Sequence, residues 1–375
     1  MSLILRPYKL ITSVFKKCLQ PLSGRSYPFK LFLTSFIISL SALAFSANAA
    51  TYYSRQSGNW NTNTTWSLSS GGGSVGAGVF PVAGDIVIIE RGFTVTVSAN
   101  AACASIQLGA TPASGGINFG ALTFGGAFQL IVSGNVAVGG NGNTFRRGTI
   151  IFANGSLLDA GIVTLGSSGA TPGTPNLINM TSGGTLRVDG LSVNAGPVNN
   201  WTPGAGTVEL KSTNTLPSSV FTSFNNLTIS GGTTSLGVDV SIAGTLSVAS
   251  GVFALGTFNV TSVGAVNMTG TSITGTGTLT LAGDVTTNAS LTASTISVPI
   301  ALGGSTRTFN VDDTAAIPDL NVSGAISGAG GIIKTGIGSM NLANAGNSYT
   351  GSTTANQGTL RIAAFGGVIP DGSAL

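Results

Sequence analysis

The chain contains no histidine. That excludes Ser-His-Asp and Cys-His nucleophilic catalysis and removes the commonest zinc ligand. Charge is sparse too: 7% of its 375 residues are Asp, Glu, Lys or Arg, and no acidic residue occurs before Asp85. No glycine-rich phosphate loop sits between a strand and a helix, because the many Gly-x-Gly strings fall in β-type sequence. The Gly-Gly-Asn-Gly run at 139–142 lacks the aspartate that a calcium-binding nonapeptide needs. Disorder requires low hydrophobicity with high net charge, and the chain has neither. After residue 50 no run shows helical spacing of Ala, Leu, Glu and Lys.

The first 49 residues read as a secretory leader. Six basic residues (Arg6, Lys9, Lys16, Lys17, Arg25, Lys30) precede an apolar stretch at 31–45, and Ala47-Asn48-Ala49 then forms a small-residue cleavage pattern. Cleavage is expected before Ala50. The apolar core of about 15 residues falls short of the ~20 that span a bilayer, and no later stretch is longer. Nine basic and 11 acidic residues follow the leader, so the remainder carries a net charge of −2 rather than +4. The basic isoelectric point therefore belongs to the leader and argues for no nucleic-acid partner. Of the two cysteines, Cys18 lies in the leader. Cys103 is left without a disulfide partner and is expected to pack as a small buried hydrophobe.

What is abundant is glycine, 56 residues of it. Two five-residue units, Gly-Ser-Met-Asn-Leu from Gly338 and Gly-Thr-Leu-Arg-Ile from Gly358, stand 20 residues apart. Each is a turn glycine followed by a short strand that alternates apolar and polar side chains. Similar units begin at Gly148, Gly184, Gly206, Gly244 and Gly277, and looser ones at Gly161 and Gly190. Their separations scatter around multiples of ~20 residues, the length of one solenoid coil. The predicted fold is all-β: a parallel β-helix or β-solenoid of about 15 coils, with strands of about 4–6 residues.

The expected organisation is a leader at 1–49, an aromatic-rich N-terminal cap at 50–110, irregular coils at 111–310 and the most regular repeat at 311–375. The chain stops where a further strand would start, which reads as a truncated repeat. Inward stacks are expected from pairs such as Leu246 and Val248, or Leu279 and Leu281. Asn199-Asn200 and Asn225-Asn226 read either as amide ladders or as turns, with turns favoured.

Few residues qualify as functional candidates. Trp60 and Trp66, in an Asn/Thr-rich setting, are the candidate ligand-binding pair: they suit a platform for sugar rings, or else the packed core of the cap, which is the favoured reading. Asp312, Asp313 and Asp319, with Arg307 nearby, offer grouped carboxylates of the kind that cleave polysaccharides. Adjacent strand residues face opposite ways, so a solvated turn is preferred there. Arg146-Arg147 reads as a solvated turn ahead of an anionic-glycan or lipid-headgroup contact. No catalytic, metal or cofactor residue is assigned, and the chain is read as a non-enzyme.

The segment from Thr306 to Ala374 resembles the autotransporter-associated β-strand repeat of bacterial passenger regions. The matching residues are Gly330-Gly331, Lys334, Gly336, Gly338, Leu342, Asn347, Tyr349-Thr350-Gly351, Thr353-Thr354 and Gly358-Thr359-Leu360, after a lead-in at 319–324. Ser339, Met340 and Ala355 depart from the pattern but keep its apolar alternation. The stretch from Tyr52 to Leu108 resembles the opening coils of large secreted β-helix proteins of Gram-negative, Bacteroidetes-like bacteria. These resemblances imply an exported solenoid, secreted or on the outer surface of a Gram-negative cell. Its partners would be surface glycans or a host or neighbouring cell, and the outer-membrane translocation machinery. The function they imply is a structural stalk or adhesin working through multivalent weak contacts. The alternative is a carbohydrate-binding or polysaccharide-cleaving β-helix.

Overall fold

The computed structural model describes residues 49–110, 119–139, 147–166, 175–194, 199–362 and 369–370. The expected leader, with Cys18 and the apolar stretch, lies outside the described residues except for Ala49, and so does Arg146. The chain divides into Met1–Asn48 and Ala49–Leu375, and the second unit is the one described.

Alternation builds this unit. In the strand Thr245–Val248, Leu246 and Val248 are buried while Thr245 and Ser247 face outward, as a two-residue period dictates. The strand pairs in parallel with Asn226–Ile229 of the preceding coil and with Ala265–Met268 of the next. The same registration runs through most of the unit, so that Leu158, Leu186, Val208, Leu227, Leu246, Val266, Val285 and Phe309 form one inward column. Every member is at most 2% exposed, and each such side chain contributes roughly 1.5–3 kcal/mol by leaving water. The parallel β-solenoid is the fold. Among the described residues the one helical element is the short 3-10 turn Asn63–Thr65.

Coil geometry changes part-way along the stack. One 17-stranded sheet runs through the unit, joined first by a 6-stranded sheet that ends at Asn199–Thr202. From Asn214–Thr215 and Ser223–Phe224 onward, an 8-stranded and a second 6-stranded sheet replace it, while coils carry three strands on both sides of the change, as in Thr94–Val97, Ala101–Cys103 and Ser105–Ala110. Before the change, equivalent residues such as Asp159 and Arg187 are 28 apart; after it, pairs such as Asn226 and Thr245 are 19 apart. The expected coil of about twenty residues therefore holds only for the later part. Strand length does not set this difference: the 28-residue step from Gln129 to Leu157 holds strands of three and four residues, so the added length lies between strands. Gly161 and Gly190, read as turn glycines, lie inside the strands Leu157–Leu165 and Thr185–Val193 but at the bend between two ladders. Leu157–Asp159 pair with Gln129–Ile131, Val163–Leu165 with Val136–Val138, and Gly161 N–H donates to the carbonyl of Gly134 in the bend between those partners. A Cβ on Gly161 would come within 2.9 Å of the Gly134 carbonyl, so glycine there also permits the coils to approach closely.

Trp201 fills the junction. It stands on the last strand of the first 6-stranded sheet, with its ring 5.2 Å from Phe221 and 6.1 Å from Phe224, and its Nε1–H donates to the Ser223 carbonyl at 2.6 Å. At the other end, Tyr52, Trp60 and Trp66 form the aromatic cap, where the sole antiparallel pairing among the described strands joins Tyr53–Ser54 to Trp66–Ser67.

Asn and Asp side chains fasten one coil to the next. The Asn226 carbonyl oxygen accepts from the Thr245 N–H at 3.0 Å, Asp284 from Thr308 at 2.8 Å, and Asp239 from Asn259 at 2.8 Å. Asn176 donates to Asn199 at 3.0 Å and Asn341 to Asn321 at 2.8 Å. The preference for turns is corrected at Asn199, Asn200 and Asn226, which begin or continue strands, with Asn199 and Asn226 bonded across coils, while Asn225 does lie in the bend between Ser223–Phe224 and Asn226–Ile229.

Candidate functional site

Trp60 and Trp66 are 1% and 0% exposed. Their rings meet edge to face, 5.4 Å apart at 73°, a geometry that adds to simple area burial. Trp60 Nε1–H donates to the Pro81 carbonyl at 3.1 Å, and Trp66 Nε1–H to the Trp60 carbonyl at 2.7 Å. Both polar handles are thus satisfied inside the cap. Trp60 reaches a surface groove of about 310 Å³ beside Phe80 and Asn100, yet with 1% exposure it offers that groove no ring face. The pair serves as cap core and not as a sugar-stacking platform.

The three aspartates separate. Asp313 is exposed, Asp312 half-buried and Asp319 only 2% exposed. Asp319 stands ahead of Leu320–Val322, and its carboxylate accepts from the Ser339 N–H at 2.6 Å, the Ser339 hydroxyl at 2.9 Å and the Thr314 N–H at 2.7 Å, with the Thr314 hydroxyl as a fourth donor. Burial pushes its pKa up, but these bonds from Ser339 and Thr314 outweigh burial and hold the carboxyl below its ordinary 3.8. A carboxylate so occupied ties two coils together and is in no position to act as a general acid. Arg307 donates to the carbonyls of Leu302 and Ala282, at 3.1 and 2.6 Å, and so serves the backbone rather than an acidic sugar. Arg147 is 4% exposed, which corrects its reading as a solvated turn residue.

Lys334 is the residue that sequence reasoning missed as a functional group. It continues the inward apolar column directly after Phe309 and is 0% exposed. Its Nζ donates to the carbonyls of Thr335, Gly336 and Gln357 at 2.6, 2.7 and 3.1 Å. Three donors meet three acceptors. One acceptor, Thr335, ends its own strand, the second, Gly336, lies in the turn that follows, and the third is in the corresponding turn of the next coil. Burial lowers the Lys334 pKa, against the pull of the Asp319 charge. Glycine is required at this corner: Gly336 has φ +74°, and a Cβ there would sit 2.3 Å from the Val311 carbonyl oxygen. Gly358 repeats the arrangement one coil on, at φ +69°.

Residues 332–362, which hold Lys334 and both corner glycines, match the family described as the passenger-associated-transport-repeat. Residues 332–362 are thus similar to that repeat. The match falls within the stretch that resembles autotransporter repeats, and it runs from the strand Ile332–Thr335 through Thr359–Ile362. No curated protein and no solved structure matches the chain. In this repeat Lys334 supplies the cation that closes the corner, Tyr349 donates or accepts at Thr353 across 2.7 Å inside the coil, and Met340 and Leu342 point into the core.

Charge elsewhere is also used for stacking. Asp159, Arg187 and Glu209 sit in register on three successive coils. Arg187 bridges Asp159 at 3.4 Å and Glu209 at 3.1 Å, and Lys211 also pairs with Asp159. Among the described residues no group of three or more His, Cys, Asp or Glu side chains is placed to hold a metal, and no helix is long and apolar enough to cross a membrane.

Proposed function

We propose that the chain is an exported β-solenoid, presented at the outer surface of a Gram-negative cell or secreted from it, that works as a non-enzymatic stalk or adhesin. The observation that carries this reading is how the reactive groups are used. Asp319, Lys334 and the Trp60/Trp66 pair are all spent on joining or capping coils, in a stack that includes a passenger-type repeat. What remains outward is row upon row of Thr, Ser and Asn in register. Such rows offer many equivalent weak hydrogen-bonding contacts, so attachment grows with the number of coils and copies engaged. The translocation machinery of the outer membrane is the transient partner, and surface glycans or a neighbouring cell surface the lasting one.

The test is adhesion of beads that carry the purified protein at graded densities to cells and to immobilised glycans. Avidity predicts retention that rises much more steeply than density. Retention in simple proportion to density would indicate a single strong site instead. Polysaccharide cleavage lost in Asp312→Asn or Asp313→Asn would establish an enzyme and overturn the proposal.

A further inference from the structure

The three most exposed large apolar side chains among the described residues are Leu291 at 87%, Ile317 at 77% and Ile337 at 66%. They do not scatter. Each lies in the loop that leads from the 17-stranded sheet to the 8-stranded sheet, on three consecutive coils: between Val285–Thr287 and Ser294–Ile296, between Arg307–Val311 and Leu320–Val322, and between Ile332–Thr335 and Ser339–Leu342. The loops stack, since Ala315 N–H donates to the Ser290 carbonyl at 3.4 Å and Gly338 N–H to the Val311 carbonyl at 2.9 Å. One corner therefore carries a ridge of aliphatic side chains about 10 Å long, at about 4.8 Å per coil. The neighbouring faces are hydroxyl and amide. A ridge of this kind on a soluble surface marks a contact site.

Charge decides what the ridge fits. A groove of about 360 Å³ beside Ile317 and Ile337 is also lined by Asp313 and Arg361, both exposed. Neither takes part in an ion pair among the described residues. Asp313 belongs to the coil before Ile337 and Arg361 to the coil after it. A twofold axis through Ile337, perpendicular to the stack, would set Ile337 against its own copy and Asp313 of each chain against Arg361 of the other. The corner is thus complementary to itself, as an isologous contact requires.

We propose that this corner is a homotypic docking surface, through which two copies of the chain associate side by side and antiparallel. The contact stands apart from the adhesive reading, since it needs no foreign ligand. A contact limited to the corner loops of three coils is small beside the ~1,200 Å² of stable complexes, so the association is expected to be weak and reversible.

Sedimentation equilibrium of the purified protein over a range of concentrations tests this. A reversible dimer is expected, weakened about tenfold or more in Ile337→Asn, an exposed position where the fold is checked by circular dichroism. Asp313→Arg should abolish the dimer. The double variant Asp313→Arg/Arg361→Asp should regain it, as should an equimolar mixture of the two single variants. A protein that stays monomeric throughout, or a dimer indifferent to Ile337→Asn, overturns the proposal. So does failure of the charge exchange to restore association. Monomeric protein that instead co-sediments with phosphatidylcholine vesicles would assign the ridge to a lipid surface and equally defeat the homotypic contact.

Discussion

Replacing Lys334 by methionine keeps the volume of the side chain and its place in the inward column but removes the cation. The carbonyls of Thr335, Gly336 and Gln357 then lose their shared donor. An acceptor left without a partner costs about 1–3 kcal/mol when buried. Here Thr335 and Gly336 are half-buried and Gln357 is exposed, so water recovers part of that, and about 1 kcal/mol per carbonyl is the fitting figure. Removing a desolvated ammonium returns some of the loss. Replacement of a whole buried ion pair by apolar side chains is often neutral, because both charges vanish together. In this corner only one partner vanishes and the dipoles remain. A net loss of about 2 kcal/mol is expected for Lys334→Met. Lys334→Ala should lose more, because it also opens a cavity beside Phe309, at about 24 cal/mol per Å³ of void. Coils interact mainly with their neighbours, so the loss should appear as local opening of the coils that hold Lys334 and Gln357 rather than as a lower global transition. Amide exchange is the suitable assay. The N–H groups of Asn356 and Thr359, which bond back to Lys334 and Gly338, should exchange about 30-fold faster in Lys334→Met. Unchanged exchange there would refute the clamp.

Asp319 titrates below its ordinary 3.8 in the folded chain, so the stability it contributes is present above that value and is lost as pH falls through the lower folded one. Urea melts of wild type and Asp319→Asn from neutral pH to about pH 2 should show a gap of about 1–3 kcal/mol that closes at the acid end; a constant gap would sink this account. The Cys103 thiol is pushed up to about 12 by burial and, secondarily, by Asp85, so iodoacetamide should label it only after unfolding, and rapid labelling of native protein would contradict its packing. Trp201→Ala should cost about 3–5 kcal/mol and uncouple the coils before the exchange of sheets from those after it, visible as two separate unfolding transitions in place of one. A single unshifted transition would remove Trp201 from the junction.

Strand identity was legible because it is local: turn glycine, then alternation, marks Thr185, Thr207, Thr245 and Thr359 as strand starts, and each begins one. Coil geometry was less so. Gly161 and Gly190 carry the turn-glycine pattern and do stand at a bend, but the strands run through it unbroken, with Ile162 paired to Gly190, a relation between residues 28 apart that no single window contains. The exchange of sheets after Thr202 escaped for the same reason, although Trp201 with Phe221 and Phe224 was a visible concentration of aromatics. Lys334 is different, since its signal lay in plain view. In Ile332-Ile333-Lys334-Thr335, the alternation that turns Ile332 inward also turns Lys334 inward. A charge placed by the period on the core side has to find partners, and the glycine turn after it supplies carbonyls within reach. Trp60 and Trp66 show the converse: polar neighbours suggested exposure, but indoles at the open end of a solenoid are worth most to the fold when they cover it. The same reasoning runs through the whole chain. Where a sequence has so few charges and large rings, the stack consumes most of them, and those left outward, Asp313 and Arg361 beside Ile317 and Ile337, are the ones free to meet another molecule.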